Sequence, residues 1–68
     1  MITDTLVCAL LYLNVITGTG SYTANDINNF AVIYAPQIQS IEINLPLLET
    51  VMDEEEPVAI GVLDNLGG

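Results

Sequence analysis

The chain has 68 residues, 51% of them hydrophobic, with nine Asp and Glu, no Lys, Arg or His, and a formal charge of −9 at pH 7. That length allows one domain, whose core rarely supplies more than ~3–5 kcal/mol of net stability, so assembly with a partner is expected to help. The missing cations exclude phosphate neutralisation, and with it direct nucleic-acid binding; the lone Cys8 excludes an internal disulfide, the lack of His a structural zinc site, and the apolar content an acidic disordered tail.

In chain order, Asp4 between Thr3 and Thr5 supplies cap-competent and acidic residues just before an apolar run, Leu6 to Ile16. Leu6, Ala9, Leu10 and Leu13 share one helical face, with Val7 and Leu11 on an overlapping one. The run is therefore hydrophobic nearly all round and belongs in an interior. A first helix over 4–16 is expected, ended by Gly18 and Gly20. The run is too short to span a membrane and has no basic segment before it, so an intracellular, cytoplasmic setting without membrane contact is expected.

After the polar loop, Thr23 with Asp26 three residues on resembles a capping box. Ile27, Phe30, Ala31 and Tyr34 then form the i, i+3, i+4, i+7 stripe of a second helix over 24–34, which Pro36 stops. Residues 37–43 have β-branched character but no decisive period and read as a connector. Asn44 caps a third helix over 45–52, with Pro46 in its first turn and Leu45, Leu48 and Met52 facing inward. The acids Asp53 to Glu56 then precede Pro57, which suits the first position of a fourth helix over 57–66. There Ala59, Val62, Leu63 and Leu66 share a face, and Gly67 is a C-cap candidate. The predicted architecture is a single all-α domain over 1–68, four short helices forming a dimerisation unit.

Little here is arranged for chemistry. The acids at 53–56 have no neighbouring His, nucleophile or cation, and contiguous acids do not match the alternating ligands of a calcium loop. Cys8 sits in the apolar run with no base to activate it and reads as a core residue. The "GTG" from Gly18 to Gly20 lacks the lysine of a phosphate loop. The terminal "NLGG" invites comparison with ubiquitin-like and sulfur-carrier proteins, a minor alternative that would require a β-grasp fold. No enzyme activity, catalytic residue, cofactor or metal is predicted.

The segment "LVCALLYLNVITGTGSYTANDIN", Leu6 to Asn28, resembles the N-terminal region of the eukaryotic acidic ribosomal stalk proteins, most closely the P-one type. That family has an apolar first helix with an early cysteine, a polar loop and a "TxxDxIN"-like start to its second helix, here "TANDIN". Further on, "EINLPLLETVM" and "PVAIGVLDNL" look like its third and fourth helices. The resemblance implies a non-catalytic stalk constituent of the large ribosomal subunit, supporting translation elongation. Such a protein pairs with a paralogous acidic stalk protein and docks on the stalk-base protein. It further implies that Leu6, Ala9, Leu10, Leu13, Ile27, Phe30, Ala31 and Tyr34 line the pairing surface or the core beneath it, and that Leu48, Val51 and Met52 belong to the groove receiving the stalk base. The acidic tail with which the family grips translational GTPases has no counterpart in these residues, so factor binding is not implied. The alternative is a small acidic inhibitor that mimics nucleic acid and occupies a basic groove.

Overall fold

The apolar run folds as a helix, α1, over Asp4–Tyr12, in a computed structural model that describes residues 2–67. Thr3 caps it, its hydroxyl oxygen accepting from the Leu6 N–H at 3.2 Å. The expected extension to Ile16 does not occur. Asn14 adopts φ 60°, the left-handed conformation that ends helices and that Asn tolerates better than other side-chain-bearing residues. The Asn14 N–H then donates to the Leu11 carbonyl at 3.1 Å and the Val15 N–H to the Leu10 carbonyl at 3.0 Å, the two bonds of a Schellman motif. The chain thereby turns at Asn14, before either glycine, and Ile16 returns to the core as a buried loop residue.

The glycines serve the loop that follows. A Cβ on Gly18 would lie 2.5 Å from Val58 Cγ1, and one on Gly20 would strike the Tyr22 ring. Tyr22 closes this loop, its hydroxyl oxygen accepting from the Thr17 N–H at 2.9 Å, and its ring meets Phe30 edge-to-face at 6.4 Å.

Helix α2 spans Ala24–Ile33 and starts with the expected capping box: Thr23 Oγ1 accepts from the Asp26 N–H and Asp26 Oδ2 from the Thr23 N–H, both at 3.1 Å. Pro36 does not lead into a connector. Tyr34 caps the end of α2 and the start of a further helix, α3, over Ala35–Ile43, with Pro36 in its first turn, where a missing N–H removes no helical bond. Ile38 and Ile41 are its buried positions.

The expected third and fourth helices are one, α4, Leu45–Asp64. Asn44 caps it, Oδ1 accepting from the Leu47 N–H at 3.3 Å. Its 20 residues run ~30 Å, close to the 33 Å long axis of the molecule. Pro57 sits in its interior rather than at a first position. An interior proline deprives the carbonyl four residues back, that of Asp53, of its bond. Both Asp53 and Pro57 are exposed, on the side of the helix where a freed carbonyl costs least, while Val51, Ala59 and Val62 keep one continuous buried face across the proline. The acids 53–56 are thus mid-helix, away from the favourable N-terminal dipole. Leu45, expected inward, is 69% exposed at the corner after α3; Leu47 packs on the core instead. The helix ends on Asn65, not Gly67, and the Asn65 side-chain amide donates to the Gly61 carbonyl at 2.9 Å. Gly67 forms a parallel bridge with Thr23: its N–H donates to the Tyr22 carbonyl at 3.0 Å and its carbonyl accepts from the Ala24 N–H at 3.2 Å.

The four helices make the fold all-α, as its patterning implies, and among the described residues the β-grasp fold required of a diglycine modifier is not present. Helix α1 is the hub. It touches each of the other helices, α4 most extensively, and Val7, Cys8, Ala9, Leu10 and Leu11 are all buried.

Two predictions follow from the turns. Asn14→Ala should cost about 1 kcal/mol in urea denaturation while Asn14→Gly is tolerated, because only the left-handed backbone separates them. Gly18→Ala should destabilise by about 1–3 kcal/mol, and much of that loss should be recovered in the double variant with Val58→Ala.

Candidate functional site

Among the described residues no polar or charged side chain is buried, and no three His, Cys, Asp or Glu side chains come together as a metal site. Asp53, Glu54 and Glu56 are exposed and Glu55 is half-buried, so the acidic run is a solvated helix face. Cys8 is buried and reduced. Burial, with further contributions from Glu56, Asp4 and Glu55, pushes its thiol from 9.0 up to about 11. A thiol held in its protonated form is a poor nucleophile and a poor metal ligand.

The residues assigned to a pairing surface divide by depth. Ala9, Leu10 and Ile27 are completely buried within the chain's own fold, as is Val51 of the expected stalk-base groove. These four are core. Leu6, Leu13, Phe30 and Tyr34 are half-buried, packed on the core but still reachable, and so are Leu48 and Met52; Ala31 is half-buried too. A 68-residue chain therefore hides its first helix by wrapping the other three around it.

Two of the half-buried residues, Leu6 and Ala31, come together in a groove of about 370 Å³. Thr3 and Leu6 of the α1 end form one side, Ala31 and Ala35 lie where α2 meets α3, and Ile38, Gln39 and Glu42 form the α3 wall. The sequence reading missed that wall because it left 37–43 without structure. The signal was present: Tyr34, Ile38 and Ile41 stand at i, i+4 and i+7. Large apolar side chains are exposed elsewhere, at Val32 (77%) and Ile33 (64%) beside the α2–α3 junction, at Ile43 and Leu45 around the α3–α4 corner, and at Val58 and Ile60 on α4. No described helix is long and apolar enough to cross a membrane.

No family model matches the chain, and no curated protein or solved structure matches it.

Because Leu10 is core, Leu10→Ala should cost about 2–5 kcal/mol of stability at any protein concentration, measured by denaturant unfolding. The Cys8 shift predicts a pH effect of definite sign. The folded thiol holds its proton more tightly than the unfolded one, so its contribution is complete below pH 9.0 and is lost as pH rises towards about 11. Stability measured across that window should fall less steeply in Cys8→Ala than in the native chain.

Proposed function

We propose that this chain is a non-catalytic interaction module of the acidic ribosomal stalk type, pairing with a paralogous acidic stalk protein and docking on the stalk-base protein of the large ribosomal subunit. The observation that carries an interaction role is the set of strongly exposed apolar side chains, Val32, Ile33, Ile43 and Leu45 among them. Singly scattered apolar side chains are ordinary on a surface, but neighbours exposed together, as Val32 and Ile33 are, form a spot that a partner can cover. The ribosomal part rests on the resemblance of Leu6 to Asn28 to that family, and the all-helical fold is compatible with it. On this reading the chain works in the cytoplasm on the ribosome, with no cofactor. The accessible members of the pairing set are then Leu13, Phe30 and Tyr34 with Leu6 and Ala31, and Leu48 and Met52 remain available to the stalk base.

One observation favours the acidic-inhibitor reading. Because α4 is continuous, Glu49, Asp53 and Glu56 stand at i, i+4 and i+7 on one exposed helix face, a row of carboxylates about 4.5–6 Å apart along the axis. Such a row can face a basic groove.

Sedimentation separates the two. The stalk reading expects the chain to travel with large ribosomal subunits in near-stoichiometric amount, and to be recovered from them with an acidic partner. A chain that stays at the top of the gradient while inhibiting a nucleic-acid enzyme overturns it in favour of the second reading.

A further inference from the structure

The groove between the start of α1, the α2–α3 junction and α3 has a definite chemistry. Its lining joins the aliphatic side chains of Leu6, Ala31, Ala35 and Ile38 to the polar ones of Thr3, Gln39 and Glu42. The two alanines are small enough for a partner's backbone to approach closely. Glu42 lies in the last turn of α3, where the negative end of the helix dipole disfavours an anion, and the chain has no Lys, Arg or His with which to compensate it. A cationic side chain that pairs with Glu42 can therefore come only from another molecule.

We infer that the groove receives a cationic amphipathic helical segment of a partner protein, its apolar face on Leu6, Ala31, Ala35 and Ile38 and a Lys or Arg against Glu42. Charge decides between occupants. A second copy of this chain would bring another −9 and no cation to Glu42, so self-association through this face is opposed. A helix laid in a groove with spaced aliphatic anchors is a general recognition mode and suits the aliphatic part of this lining. The proposal does not rest on the stalk reading, whose pairing surface would share Leu6 and Ala31 with this groove; it assigns those two residues to the cationic segment and leaves Leu13, Phe30 and Tyr34 to pairing.

The test titrates the full chain, ¹⁵N-labelled, with a synthetic amphipathic helix of leucine and lysine, and with its counterpart in which glutamate replaces lysine. Amide shifts for the lysine peptide should centre on Leu6, Ala31, Ala35 and Ile38, and the glutamate peptide should leave the spectrum unchanged. Glu42→Lys should weaken binding by at least about tenfold, whereas Glu54→Lys, which alters net charge equally on the exposed face of α4, should change it less than about twofold. Both sites are exposed, and circular dichroism verifies that each variant is folded. Equal weakening by the two variants, shifts centred on residues 53–56, absence of binding, or concentration-dependent groove shifts in the chain alone would each overturn the proposal.

Discussion

The packing of α1 against α4 is the constraint on which the molecule depends. Five consecutive residues, Val7 to Leu11, are buried, and consecutive residues cover every side of a helix. No single neighbour can enclose such a segment. α4 provides the largest wall, which requires that it stay one helix through Pro57, and α2 and α3 close the remaining sides. The early turn at Asn14 belongs to the same solution, because it folds Ile16 back into the core instead of carrying the helix past its neighbours.

The second organising fact is the uniform sign of the charge. With no cation available, all cohesion within the chain comes from apolar burial, helix hydrogen bonds and caps. Three of the four helices are capped at their starts, Thr3, Thr23 and Asn44 each accepting from a first-turn N–H, while α3, which follows directly on α2 through Tyr34, has no side-chain cap. At the opposite ends none of the four helices has a basic residue in its last turn, and at the end of α4 it is the neutral Asn65 amide that donates to the Gly61 carbonyl. Carboxylates stay at the surface, and their mutual repulsion is a standing cost that added salt lowers.

Much of this was legible in the residues. The all-α class, the Thr23–Asp26 capping box, the Asn44 cap and a buried Cys8 follow from spacing and residue type, and the structure has them. The misreadings cluster at prolines and turns, where a local rule competes with a tertiary one. Pro57 reads as a start because it follows four acids, yet the apolar positions on either side of it, Val51 with Ala59 and Val62, are in phase at 3.6 residues per turn. That phase is what keeps α4 whole. Pro36 reads as a stop, which is true of α2, but it equally suits the first turn of the helix that follows. Asn14 was overshadowed by the glycines beyond it. The candidate pairing set was legible only as a stripe; which members face inward depends on neighbours that are distant in sequence, and this separates Leu10 from Leu6.

The hub arrangement also shapes the order in which the fold can form. Helix α1 is made first, but the wall that encloses it runs to Val62, and Gly67 must arrive before it can pair with Thr23. Contacts so distant along the chain carry a loop-closure entropy that must be met before they stabilise anything. During synthesis the most apolar segment therefore emerges long before its shelter does. A nascent chain of this protein presents a bare hydrophobic segment to whatever surrounds the exit of the ribosome.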